Sequence, residues 1–261
     1  MQADVHFMSG RAIQWLAWRG LISRMRGGVG AALSVAYVSV SAVYTFTLYP
    51  YFIEGVVTLR PLFEISPLLL ALLTPTLTLD LIAEERRSGQ LDTWLALPLS
   101  YPLLLLGRLS GAWLLLMLAI GVSVIIPCCL SLYCEIPWGV ALSGYLGTAL
   151  AGTQLLCIGL WASVWARSPL SAWLTAFVIS FGFYLVGQTA RFLPTWLGEW
   201  SQMMSLEVHF ARLARGVIDS RDIAYFVVMI VFWFMLAVET LRFQVNGNSS
   251  HGDTSPEMAD S

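Results

Sequence analysis

The chain has 261 residues, of which 57% are hydrophobic and only 11% charged, with a net charge of −2 and a mean hydropathy of +0.73, far from the roughly 25% charged content of soluble domains. The basic residues are scattered rather than gathered into one patch, which excludes a nucleic-acid partner, and all 14 Lys-or-Arg positions are arginine. A phosphate-binding loop of the form G-x-x-x-x-G-K-[ST] needs a lysine, so any ATP used must be hydrolysed by another polypeptide.

Lipid offers no partner for backbone N–H and C=O groups, so apolar runs of about 20 residues indicate spanning helices. Before the first such run, residues 1–28 place Trp15, Trp18, Ile22 and Met25 on one helical stripe among Arg11, Arg19, Arg24 and Arg26. This pattern suits a cytoplasmic helix lying in the membrane surface, although Ile13 and Leu16 fall off the stripe and leave a loosely structured arm open. No short apolar stretch with a small-residue cleavage site precedes the first run, so the first span is expected to direct insertion itself.

Six runs follow, at 29–49, 62–83, 102–127, 139–165, 170–190 and 223–243, making 29–243 a six-span, all-α integral membrane domain. In the second run Pro67 and Pro75 should bend the helix, with Thr74, Thr76 and Thr78 available to satisfy the backbone groups released. Glu64 and Asp80 sit near its two ends, and Arg108 lies a turn or two into the third run; such end positions allow either snorkelling or a role in translocation. The fourth run is rich in glycine, which allows close helix approach. Cys128, Cys129, Cys134 and Cys157 lack the spacing of a zinc site and read as free thiols in or beside apolar runs. Residues 244–261 are polar and small, the composition of a disordered tail.

Arginine placement sets the orientation. Arg11, Arg19, Arg24, Arg26, Arg86, Arg87, Arg108, Arg167 and Arg242 fall near one face, the other five near the opposite one. The richer face is the cytoplasmic one, which puts both termini inside and residues 191–222 outside.

Two connecting segments carry the informative chemistry. In the first, 84–100, Glu84, Glu85, Arg86 and Arg87 close the second span abruptly and Gly89 permits a turn. Leu91, Trp94 and Leu95 then form an i, i+3, i+4 apolar face until Pro98 ends the helix. Such an amphipathic element either anchors to the membrane surface or docks a partner. In the second, 205–226, Asp219 is placed to cap the last helix, with Asp222 at its third position reaching back in a variant of the capping box. Gly216 allows a sharp turn, and Arg215 or Arg221 is available to pair with Asp219 or Glu207. His209 reads as a hydrogen-bonded structural residue rather than a ligand, and the motif as a whole is either a structural clamp or a contact for substrate. H-E-x-x-H, G-x-S-x-G and paired aspartates within spans are all absent, which argues against an intramembrane enzyme.

The first segment resembles the cytoplasmic loop of the ABC-2 family of transporter permeases, written around E-E-R/K-x-x-G-T-L-E-x-L-L-x-x-P-V-S. Glu84, Glu85, Arg86, Gly89, Leu91, Leu95, Pro98 and Ser100 match, while Gln90 and Asp92 replace the usual Thr and Glu. The second is similar to H-F-x-x-x-x-R-G-V-I-D-x-R-D-x-x-Y-F in the gliding-motility-associated branch of that family, and Ile158-Gly159-Leu160-Trp161-Ala162-Ser163 to its I-G-L-F-x-S. Relatives often carry a basic residue where this chain has Asp80. The resemblance implies an ABC-2 exporter-like architecture in the bacterial inner membrane and a non-catalytic subunit that binds no cofactor. ATP and Mg would sit on a separate ABC ATPase subunit, contacted through Glu84, Glu85, Arg86, Arg87, Gly89 and Asp92. It also implies a second permease copy or paralogue. The scarcity of polar groups in the spans favours a lipidic or amphipathic cargo, and the alternative is a scaffold that transmits force without moving cargo.

Overall fold

The structure, a computed structural model, describes residues 28–48, 59–79, 81–83, 100–133, 135–189 and 202–252. Its main elements are α1 (Val29–Leu48), α2 (Arg60–Thr78), α3 (Tyr101–Ser123), α4 (Ile125–Ser131), α5 (Trp138–Trp165), α6 (Pro169–Thr189), α7 (Leu206–Ala214) and α8 (Ser220–Gly252). With α3 and α4 counted as one run, six stretches are long and apolar enough to cross a membrane. The chain is an all-helical, multi-pass membrane protein, with no strand among the described residues.

The fourth span, α5, is the central post: α8, α2, α6, α7 and α3 all pack on it, while α1 lies against α2 and α3. Small residues make this possible, since helices in lipid associate through close backbone approach rather than through hydrophobic exclusion. A Cβ on Gly144 would overlap the ring of Phe63 on α2, and one on Gly159 would overlap the Thr78 hydroxyl at the other end of the same helix. The two contacts set α2 and α5 side by side along most of their length. By contrast α1, α6 and α8 leave most of their surface outside the core.

Several boundaries differ from the sequence expectation. The second span ends as a helix at Thr78 rather than 83, because the amides of Ile82 and Ala83 are taken by a side chain of α5 instead of by preceding carbonyls. Pro67 and Pro75 lie inside α2 as expected, but the threonines do not reach the carbonyl of Ala71 that Pro75 releases. Thr74 donates to the Leu70 carbonyl at 2.7 Å, Thr78 donates to Thr74 and Pro75, and Thr76 accepts from the Trp173 indole at 3.1 Å. The third run reaches Ser131, four residues past the expected end, with a tightened turn at Val124 where Pro127 cannot donate to the Ser123 carbonyl. The tail is also corrected: α8 continues to Gly252 through much of the stretch expected to be disordered. Just before that stretch Arg242 and Glu239 pair across one turn at 3.1 Å, and the next proline is Pro256.

Candidate functional site

The segment singled out as the partner-contacting element, with Glu84, Glu85, Arg86, Arg87, Gly89 and Asp92, lies outside the described residues, as do residues 1–27 of the interfacial helix expected at 1–28, Asp80 and Cys134. Its root is described. Leu81, Ile82 and Ala83 are fully buried, and Ala83 packs with Ala166 and Ala172 where α5 turns into α6. Ala83, the last described residue before the segment, thus sits in a packed corner formed by the ends of the second, fourth and fifth spans. Glu64, at the opposite end of α2, pairs with Arg60 at 2.6 Å with both side chains substantially exposed. Cys128, Cys129 and Cys157 are free thiols.

At that opposite end, α7 and the start of α8 build the second motif. Ser205 caps α7 by accepting from the Val208 amide at 3.3 Å, and the helix then sorts its residues by face. Leu206, His209, Phe210 and Leu213 turn inward and are buried, while Val208, Ala211, Arg212 and Arg215 line an open cleft. Gly216, at φ +90°, reverses the chain against Val140 of α5, a conformation L side chains rarely adopt. Asp219 follows as the N-cap of α8: its Oδ1 accepts from the Arg221 amide at 3.0 Å, and its carbonyl accepts from Asp222 and Ile223.

Asp222 does not complete a capping box. Its side chain is fully buried and points back to α7, where Oδ1 lies 2.6 Å from His209 Nδ1 and 3.4 Å from the Arg212 guanidinium. The tertiary partner wins over the local one because a buried carboxylate needs a charged or strongly donating neighbour. His209 Nε2 lies 3.1 Å from the Met203 carbonyl. A carbonyl only accepts, so the Nε2 contact is an N–H donated by the ring to Met203. Tyr225 stacks on the imidazole with ring centroids 4.0 Å apart and donates to the Met204 carbonyl at 2.8 Å. Arg212, rather than Arg215 or Arg221, is the arginine that reaches an aspartate in this cluster.

The cleft beside this clamp has a volume of about 460 Å³ and is walled by Gly187, Gln202 and Glu207 besides the outward face of α7. Gln188 donates to Glu207 at 2.8 Å, fastening α6 to α7. Sequence reading did not single out this cleft, although the spacing of 208, 211, 212 and 215 (i, i+3, i+4, i+7) marks one helix face that carries two arginines. Among the described residues no three His, Cys, Asp or Glu side chains are grouped to hold a metal.

The capping bond gives a direct test. Asp219→Ala is expected to cost about 0.5–2 kcal/mol, read as lower thermal stability of the detergent-solubilised protein. Normal stability with altered cargo selectivity would instead assign the residue to substrate contact.

A family model described as "ABC-2 family transporter protein" matches residues 14–207. The matched stretch contains the first five spans and the 84–100 segment, and stops before His209. No curated protein matches the chain.

Proposed function

This chain belongs to the ABC-2 family of transporter proteins, and from that premise we propose that it is the permease subunit of an ABC transporter, coupling ATP hydrolysis in a separate ATPase subunit to movement of a lipidic or amphipathic cargo. Two permease subunits, identical or paralogous, pair in the membrane; ATP and Mg are held by the partner ATPase. Residues 84–98 form the contact through which closure of the ATPase subunits is relayed. The observation carrying this reading is the family match across 14–207, which encloses the 84–100 segment. The lack of lysine supports placing hydrolysis elsewhere.

The arginine distribution supports an inner-membrane orientation with both termini and residues 84–100 in the cytoplasm, and α7 with its cleft outside. External labelling of a cysteine at position 88 in sealed cells would contradict it. The likeness of 209–226 to the gliding-motility branch favours a second reading, a scaffold that transmits force. Reconstitution of the permease with its ATPase subunit separates the two. The transporter reading expects ATP-dependent redistribution of a fluorescent phospholipid across sealed vesicles, at least about tenfold above ATP-free controls. ATP turnover with no redistribution of this lipid or of extracted native lipids would favour the scaffold.

A further inference from the structure

We infer that Ser163 is a positioning residue that clamps the root of the 84–100 segment onto the fourth span, so that a movement imposed on the segment is delivered to α5 as well as to α2. The inference rests on the reading of 84–98 as the docking element. It begins from the fully buried Ser163 hydroxyl, whose Oγ accepts two backbone amides of the segment's root, Ile82 at 3.0 Å and Ala83 at 3.2 Å. These two N–H groups follow the end of α2 at Thr78, where Leu81 makes only a tight turn back to the Thr78 carbonyl at 3.2 Å. A side chain from a helix 80 residues away in sequence thus does for them what an N-cap does for a helix start.

Three further contacts make the junction stiff. Gly159, one turn before Ser163 on the same face of α5, lets Thr78 approach so closely that a Cβ there would overlap it. Ala83 is enclosed by Ala166 and Ala172, and the Trp173 indole donates to Thr76 at 3.1 Å, tying α6 to the last turn of α2. On its other side α5 is fastened to α8 by the Trp161 indole, which donates to Thr240 at 3.2 Å. A displacement of residue 83 therefore meets packed partners on α5 and α6, not a hinge. Gly159 and Ser163 form a small-x-x-x-small pair, which explains physically why the I-G-L-W-A-S stretch ends in a hydroxyl residue. In an apolar site the two amides have no water to fall back on, so the hydroxyl oxygen cannot be dispensed with.

The test uses the complex of permease and ATPase subunit in lipid nanodiscs, with hydrogen exchange read in the nucleotide-free and ATP–vanadate-trapped states. In Ser163→Ala, exchange at Ile82 and Ala83 should rise by roughly tenfold or more. The nucleotide-driven change in exchange at 139–152 of α5 should fall by more than half, with the ATPase subunit still recovered. Ser163→Thr keeps the oxygen and should behave as wild type, which separates loss of the clamp from general misfolding. Unchanged exchange at Ile82 and Ala83 in the alanine variant overturns the clamp. Faster exchange there with the α5 response intact overturns the delivery of movement to α5. If wild type itself shows no nucleotide response at 139–152 and Glu84→Lys with Glu85→Lys does not release the ATPase subunit, the docking reading fails, and this inference with it.

Discussion

Reversing both charges at the head of the 84–100 segment, Glu84→Lys with Glu85→Lys, is expected to release the proposed ATPase subunit from the permease. The carboxylates follow directly on the buried root at Leu81–Ala83, so their distance from the packed corner is only a residue or two. Exposed pairs contribute only about 0–1 kcal/mol, but truncating one member of a charge pair buried at an interface costs about 2–5 kcal/mol. The larger figure corresponds to a loss of affinity of roughly 30-fold to several thousandfold, enough to abolish recovery of the complex. The effect requires burial on docking, so a matched reversal on the ATPase subunit should restore part of the binding. Should the segment only anchor to lipid, recovery and ATPase activity would both stay at wild-type levels in matched membranes. The variant distinguishes docking from anchoring because Arg86 and Arg87, the groups suited to lipid headgroups, are untouched.

Asp222→Ala should have the second large effect, through folding rather than partner binding. The carboxyl group is fully buried and is the shared partner of His209 and Arg212. Removing it leaves the buried His209 ring nitrogen without its partner, and a buried group left unsatisfied costs about 1–3 kcal/mol. His209 also holds the Met203 carbonyl, so the loss should spread to the 202–204 turn and to the fit of α7 on α5. A marked fall in thermal midpoint and in monodisperse yield is expected, with Asp222→Asn intermediate. A change below about 1 kcal/mol would mean that the clamp contributes no more than an exposed pair.

The spans were readable because bilayer thickness forces an apolar length that composition reveals directly. Their ends were less so. Thr78 ends α2 because Ser163 of another helix claims the next amides, a competition that no local pattern encodes. Asp219 acts through its nearest neighbours, so its capping position was legible in the local sequence. Asp222 sits three residues away in a textually similar place, yet its partner lies on a preceding helix across the Gly216 reversal. His209 fell to the same difficulty: its hydrogen-bonded character could be expected, its two opposed partners could not. The α7 cleft follows a helical face at 208, 211, 212 and 215, but its other wall comes from Gly187 and Gln202, whose approach no local pattern encodes.

If this chain works as the membrane half of an ATP-driven machine, the catalytic half is a separate polypeptide. Mild-detergent purification of the full chain from its native membrane, followed by identification of copurifying proteins and an ATPase assay before and after they are stripped away, tests it most directly. A lysine-containing P-loop protein is expected in the complex, with hydrolysis present before stripping, absent from the stripped chain and restored on adding that protein back. Hydrolysis by the stripped chain itself, or a purified native complex free of any P-loop ATPase, would contradict it.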